Sequence, residues 1–430
     1  MDGFIFLYAA ALVLVGLLST RLMKTIKMPF VTGYIITGII MGPFVFGLFF
    51  NGFDFLNAGN GPIAGYVKDL GWVNNVALGF IAFSVGASFR KNTLKAVGKK
   101  VLVITVLEAL CASLLVIASL LIAYFIWPDK IPLPLVLTLG AIAAATAPAA
   151  TLMVVKQYRA KGPVTDTLLP VVALDDAAAL ILFAVLFQIA ETMATGSSFN
   201  TYEMFVKPLL EILISIGIGA VLGFVMSFAC HFFRSRGNRT GWIIFVVFAS
   251  LGLYYLFKQD FMGNMELSSL LTCMTAGAIY VNMRQDSVKT FEFLDRFTTP
   301  IYMLFFIISG ANLNLTIFAG ENGLIVILIA LAYVIFRAAG KWVGAYSGAT
   351  ISRAEPTVKK YLGFCLIPQA GVAIGLSTTA GAILGGPNGN PLIGAMVVAI
   401  ILTSTLVYEL AGPIITKTAL KKAGELTVER

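Results

Sequence analysis

"LLPVVALDDAAALILFAV", residues 168–185, decides how the whole chain is read. A bilayer core of about 30 Å is crossed by about 20 helical residues, so this run is long enough to lie in a membrane, yet Asp175 and Asp176 stand side by side near its middle. A carboxylate at that depth costs about 2.5–3.5 kcal/mol or more and marks a pathway or a paired site. Consecutive helical residues point about 100° apart, so one partner does not easily neutralise both acids, while each lies within the other's field. Such a pair titrates as a coupled unit. Deprotonated, it offers hard oxygens to a small cation such as Na⁺, and protons and cations would compete for the same carboxylates.

The rest of the chain places this run among others like it. With 59% apolar and 12% charged residues, the composition excludes a soluble globule. Thirteen apolar runs of spanning length follow one another, at residues 3–20, 29–49, 73–89, 101–126, 133–155, 164–190, 206–230, 241–257, 266–283, 299–318, 323–347, 361–384 and 392–415. The first begins directly after "MDG" without a basic leader or a small-residue cleavage pattern, and reads as a retained helix. Cys111, Cys230, Cys273 and Cys365 all fall inside apolar runs with no close pair, which reads as packing. One histidine, His231, excludes metal chemistry built on imidazole.

Loop charge sets the orientation. When the loops are assigned alternately to two sides, all but six of the 30 basic residues fall on one side, from Arg21, Lys24 and Lys27 through "RKNTLKAVGKK" at 90–100 to Lys417, Lys421 and Lys422. The opposite side holds only Lys68, Lys130, Lys207 and Lys258. The positive-inside rule then puts the N-terminus outside and the C-terminus in the cytoplasm. Membrane insertion thus accounts for the net charge of +9, and nucleic acid is not expected as a partner.

Two basic residues remain inside the runs, Arg337 and Lys341 in "LAYVIFRAAGKWVGAYSGAT". Besides the aspartates, Glu108 is embedded, and Glu211, Glu266 and Glu409 lie nearer the ends of their runs. Glu108 reads equally as an ion pair locking two helices, with Arg337 as one candidate partner. A dehydrated cation also needs exposed backbone, which transporters supply with interrupted helices in corresponding positions of two inverted repeats. "VLTLGAIAAATAPAATLMVV" before the aspartates holds Thr146 and Pro148, and "LGFCLIPQAGVAIGLSTTAGAIL" after Lys341 holds Pro368, Gly371, Gly375, Thr378 and Thr379. A proline removes a helical hydrogen bond, so both runs are expected to break. The expected architecture is an all-α polytopic membrane protein of 13 transmembrane helices, in which two six-helix repeats invert around a linker at 206–230. An intramembrane aspartyl protease would need its two acids facing each other from separate helices, and a channel would need a continuous pore or carbonyl filter. No enzyme is expected.

Five segments in order, "MPFVTGYIITGIIMGP" at 28–43, "ATAPA" at 145–149, "ALDDA" at 173–177, "FRAAGKWVGAYSGA" at 336–349 and "LIPQAGVAIGL" at 366–376, resemble the bacterial monovalent cation/proton antiporters. The resemblance covers nearly the whole chain. It implies a sodium/proton antiporter fold with crossed interrupted helices in a bacterial inner membrane, and exchange of Na⁺ or Li⁺ for protons by alternating access. Potassium/proton exchange is the alternative, followed by a sodium-coupled organic anion symporter of related fold. It further implies that Asp176 is the main Na⁺ and proton carrier, that Asp175 pairs with the embedded Lys341, that Arg337 matches a basic position of related exchangers, and that Thr146 contributes a ligand. Adjacent aspartates resemble members that exchange two protons per sodium ion and are electrogenic. Scaffold and dimerisation helices are expected at 1–100 and core helices at 101–190. In the second repeat, scaffold leading into core is expected at 241–318 and core with the last helix at 323–415, followed by a short cytoplasmic tail at 416–430. Two scaffolds would pair as a homodimer, and no cofactor beyond the transported ions is implied. Where many relatives have Gly-Leu-Glu this chain has Gly86-Ala87-Ser88, which leaves any gating role of that site open; no G-x-G-x-x-G loop follows a strand pattern, and after the last run there is no room for a nucleotide-binding domain. Gating by nucleotide or glutathione is therefore not expected.

Overall fold

The computed structural model describes residues 3–26, 30–49, 61–128, 130–147, 151, 154–155, 158–194, 207–233, 235–257, 267–284, 287–319, 323–369, 371–387 and 389–426; at 88, 92–97, 173, 176–177, 207–209 and 288 it describes backbone only. The described residues are helical, with no strand among them. In chain order the helices are α1 (Gly3–Ile26), α2 (Phe30–Met41), α3 (Pro62–Asp69), α4 (Trp72–Gly86), α5 (Lys91–Ile126), α6 (Leu133–Ile142), α7 (Pro163–Ala194) and α8 (Lys207–Phe232). They continue with α9 (Arg236–Leu256), α10 (Ser269–Met283), α11 (Ser287–Ala311), α12 (Thr316–Ala319), α13 (Gly323–Ile351), α14 (Pro356–Cys365), α15 (Gly371–Leu384) and α16 (Pro391–Lys422).

The all-α membrane fold expected from the sequence is the one observed. Eight of the described helices are long and apolar enough to cross a bilayer unaided, against thirteen expected crossings. Of the other five runs, the fifth and twelfth are each broken, so that α6, α14 and α15 are half-helices, the third and ninth fall on α4 and α10 of 15 residues each, and the sixth falls on α7 of 32 residues. Phe4, Leu14, Phe125, Val221, Phe228, Leu324 and Ile414 are more than half exposed. In a soluble protein so much open apolar surface would be a liability; here it is the face turned to lipid.

Two local features place the site. At Gly98 the backbone enters the left-handed region (φ 68°), which only glycine adopts freely, and this divides α5 into a short leading segment and the span Gly98–Ile126. That span then packs along α13 on a seam of small residues. Gly340, Gly344 and Gly348, one turn apart, lie against the backbone of α5 at Ala112, Glu108 and Ile104, so closely that any side chain would collide. Between membrane helices, where no hydrophobic drive separates lipid from protein, small residues at such a spacing are what permit close approach. Glu108 is thereby brought alongside Lys341.

Candidate functional site

The site begins with two helix ends that have nowhere to send their carbonyls. α6 stops at Ile142 and α14 at Cys365, and the next residues of each are non-helical. The last C=O groups of a helix have no intrahelical partner, and they form the negative end of its dipole. Buried in a membrane, they must be satisfied from elsewhere.

Part of the answer is that the two breaks bind each other. The Ala147 N–H donates to the Pro368 carbonyl at 2.8 Å. Thr146 Oγ1 donates to Leu366 O at 3.3 Å and Thr151 Oγ1 to Cys365 O at 3.1 Å. Pro368 also packs on Gly412 of α16. Thr146 therefore spends its hydroxyl proton on the facing break, leaving its lone pairs for a ligand.

The rest comes from α13, whose residues Tyr333, Arg337 and Lys341 recur every four positions on one face, all fully buried. Arg337 donates through Nε to Ala143 O at 2.9 Å, through Nη1 to Ile367 O at 2.7 Å and through Nη2 to Ala145 O. One guanidinium thus ties both breaks, as its rigid fork allows and an ammonium would not. Its Cζ lies 4.7 Å from the ring centre of Tyr408, a cation–π contact in a desolvated setting. Tyr408 in turn donates to Val334 O at 2.7 Å. Gln369 donates to Ile142 O at 3.2 Å and to the Tyr333 hydroxyl at 2.9 Å.

One turn on, the Lys341 Nζ donates to Ala144 O and, at 2.9 Å, to Asp175 Oδ2. Glu108 Oε2 lies 2.7 Å from the same nitrogen, and all three side chains are sealed from solvent. This arrangement corrects the sequence reading of Arg337. Among the described residues it forms no ion pair: its three hydrogen bonds go to backbone carbonyls. Glu108 pairs with Lys341 instead, because the glycine seam sets α5 at the level of residue 344, within reach of 341 rather than of 337.

Asp176 follows Asp175 on α7, but its side chain is outside the described residues, as is the whole of Pro148. Gly371 opens α15, and Gly375 lies against Leu78 of α4. The structure so brings together Asp175, Lys341, Arg337, Thr146 and Pro368 of the expected set. Gln369 was missed, although a lone amide beside Pro368 in an apolar run was a readable signal. So was Tyr333, the first residue of a polar stripe at helical spacing. Glu425 was missed with no signal at all. Its carboxylate accepts from the N–H groups of Val164 and Thr165 at 2.7 and 2.8 Å and from the Thr165 hydroxyl at 2.7 Å, capping the first turn of the helix that carries the aspartates. Gly424, at φ 77°, ends α16 and turns the chain toward α7.

Chemically, the site holds two carboxylates on one ammonium beside a break rich in carbonyl oxygens, in a low-dielectric interior. Such a cluster suits a mobile cation and protons that replace one another.

Comparison with solved structures gives the same architecture. The sodium proton antiporter MjNhaP1 from Methanocaldococcus jannaschii at pH 8 superposes with a TM-score of 0.73 at 18% identity, covering 97% of this chain and 99% of that one. An electron-microscopy structure of MjNhaP1 from the same organism matches with a TM-score of 0.71 at 17% identity over the full length of both chains. No curated protein sequence matches. Residues 9–420 match the family model described as sodium/hydrogen exchanger, transmembrane, and the chain therefore belongs to the sodium/hydrogen exchanger family, multi-pass membrane proteins that exchange a cation for protons.

Proposed function

We propose that this chain exchanges Na⁺ for protons electrogenically across a bacterial inner membrane, by alternating access at a single site on α7. The observation that carries the reading is the sharing of Lys341 between Asp175 and Glu108 beside two crossed helix breaks. Asp176 is the carrier on this reading. Protons arriving from outside neutralise it and expel the cation; after reorientation, a cytoplasmic cation displaces the protons and draws Asp175 away from Lys341. Arg337, Gln369 and Thr146 hold the breaks in register so that backbone oxygens remain at the site throughout.

The core, residues 101–190 together with 323–415, would move against a scaffold formed by 1–100 and 241–318, joined through the linker at 206–230, with a homodimer holding the scaffold fixed. The split of basic loop residues supports an outside N-terminus and a cytoplasmic C-terminus. The test is exchange in proteoliposomes with Na⁺, Li⁺ and K⁺, with and without an imposed membrane potential. Na⁺ is expected to drive proton movement and K⁺ not to; K⁺ alone being active would replace the substrate assignment. Asp176→Asn should abolish exchange while the protein still elutes as a folded species, and full exchange by that variant would remove Asp176 from the carrier role.

A further inference from the structure

α7, the helix that carries the aspartates, starts at Pro163 behind Gly162, which has no side chain to cap it. A Ser, Asp or Asn in that place would close the first turn from within the chain. Elsewhere the sequence does so: Ser235, Ser268 and Asn390 each cap the helix they precede, α9, α10 and α16. At α7 the cap comes from the end of α16 instead. Both carboxylate oxygens of Glu425 are engaged there, Oε1 by the Val164 N–H and Oε2 by the N–H and hydroxyl of Thr165, and its backbone carbonyl accepts from the Lys161 N–H at 3.0 Å. Glu425 and Thr165 are both buried. A side chain at position 162 would run into this carboxylate, since a Cβ there would lie 2.6 Å from the Glu425 Cδ. A distant cap thus stands where a local one has no room.

The two kinds of cap differ in what they fix. One from the preceding residue stabilises a helix wherever the helix lies; one from another element also fixes where it lies. The tail that carries Glu425 packs on the segments that flank the site. Leu420 shares one apolar cluster with Val164 of α7, with Cys365 and Leu366 at the second break and with Val154 and Val155 beyond the first. Lys417 Nζ stands 4.6 Å from the centre of the Tyr158 ring. Between the cap and Asp175, Pro170 has no N–H for the Asp166 carbonyl, so α7 lacks one of its own bonds there. Asp175 is ten residues beyond Thr165, about 15 Å along the axis, and meets Lys341 at 2.9 Å. A slide of α7 by one residue's rise, about 1.5 Å, would take Asp175 to another level of α13.

We propose that Glu425 is a positioning residue of the exchange site: from the end of α16 it holds the first turn of α7 at the level that sets Asp175 against Lys341. The inference rests on the reading that exchange takes place on α7, and it concerns the tail, to which that reading gives no part. Glu425 is not itself a ligand. It acts through the helix, by tying the element that bears Asp175 to α16, while the Ala147–Pro368 bond and Arg337 tie the two breaks to each other. With the tie in place the cation meets oxygens already held in position; without it, part of the binding energy goes into fixing α7. Coupling between two sites is reciprocal, so cation binding should tighten the cap by the factor by which the cap tightens cation binding.

The test compares wild type, Glu425→Gln and Ser235→Ala in proteoliposomes, with KM and maximal rate measured for whichever of Na⁺, Li⁺ and K⁺ wild type exchanges for protons. Glu425→Gln keeps the shape of the side chain but turns one acceptor oxygen into a donor, so an N–H of the first turn loses its partner. Its KM is expected to rise about fivefold, the factor that corresponds to one helix cap, with the maximal rate little changed. Ser235→Ala removes an ordinary cap, on α9, and is expected to lower the thermal midpoint and leave KM alone. Glu425→Gln with a lowered midpoint and a wild-type KM makes the tail a device of stability only and overturns the proposal, as does an equal rise of KM in Ser235→Ala. Wild type that moves protons with none of the three cations removes the exchange reading, and this inference with it. A second measurement needs no variant. Amide hydrogen exchange at Val164 and Thr165 in wild type is expected to slow about fivefold when that cation is added, while the Asn238 amide under the α9 cap keeps its rate. Amides of Val164 and Thr165 that ignore the cation overturn the proposal even if Glu425→Gln fails to fold.

Discussion

Arg337 and Lys341 are one turn apart, equally buried, and chemically close, yet the structure gives them different work. The guanidinium satisfies three carbonyls from two helices; the ammonium meets two acids and one carbonyl. Geometry explains the division. Arg presents five donors in a fixed plane and reaches several fixed acceptors at once, whereas Lys is a compact charge on a flexible stem that can change partners. Arg337→Lys should therefore fail as a conservative change: leaving buried carbonyls unmatched costs about 1–3 kcal/mol for each. The expected result is a clearly lowered thermal midpoint in detergent, with less protein recovered folded. An unchanged midpoint would mean that the breaks hold without it. The sequence displayed both residues as embedded charges but could not say which acid met which base, because that depends on the register of α5 against α13, and no local pattern carries a register between distant helices.

At the scale of the element, that register is set by three glycines. Gly344 faces the backbone at Glu108 with no room for a methyl group, so Gly344→Ala should cost about 1–3 kcal/mol by overpacking. It should also move Glu108 away from Lys341. The expected signature is a lowered thermal midpoint together with a changed pH profile of exchange; a lowered midpoint with an unaltered profile would show that the seam serves stability alone. Much at this scale was legible beforehand. Pro148 and Pro368 announced the interrupted runs, and α7 and α13 were visible as apolar runs with charge at their centres. The five-segment resemblance gave the order of the repeat. What stayed hidden were contacts between elements far apart in sequence: Gln369 reaching Ile142, Arg337 reaching Ala143 and Ala145, and Glu425 reaching α7. Each of the thirteen runs carries described helix, but hydropathy records where lipid-compatible residues lie and is blind to a backbone that unwinds among them, so it did not show the interruptions of the fifth and twelfth runs as such.

At the scale of the whole molecule, the proposed competition for one site would make ion binding a function of pH. If cation binding expels protons, the apparent affinity for Na⁺ rises with pH, by about tenfold per unit for one proton displaced and about 100-fold for two. Na⁺ that binds only the folded protein raises its stability in proportion to RT ln(1 + [Na⁺]/Kd). Titrating Na⁺ against the thermal midpoint at stepped pH should thus give curves that shift to lower Na⁺ as pH rises. Curves that coincide at every pH would break the link between cation and proton at this site, whichever residues carry it.

The cap on α7 sets a condition on how the protein is made. Glu425 and Val164 are 261 positions apart in sequence, and Lys341 is 166 positions beyond Asp175. A ribosome synthesises the aspartates long before either partner exists, so the growing chain holds membrane carboxylates with no ammonium to meet them and a helix start with open N–H groups. The neutralising lysine arrives with α13, and the cap arrives only after α16 has been completed. The buried cluster of Asp175, Glu108 and Lys341 is thus assembled near the end of biosynthesis, and residues 1–194 expressed alone would contain both acids without the ammonium that meets them.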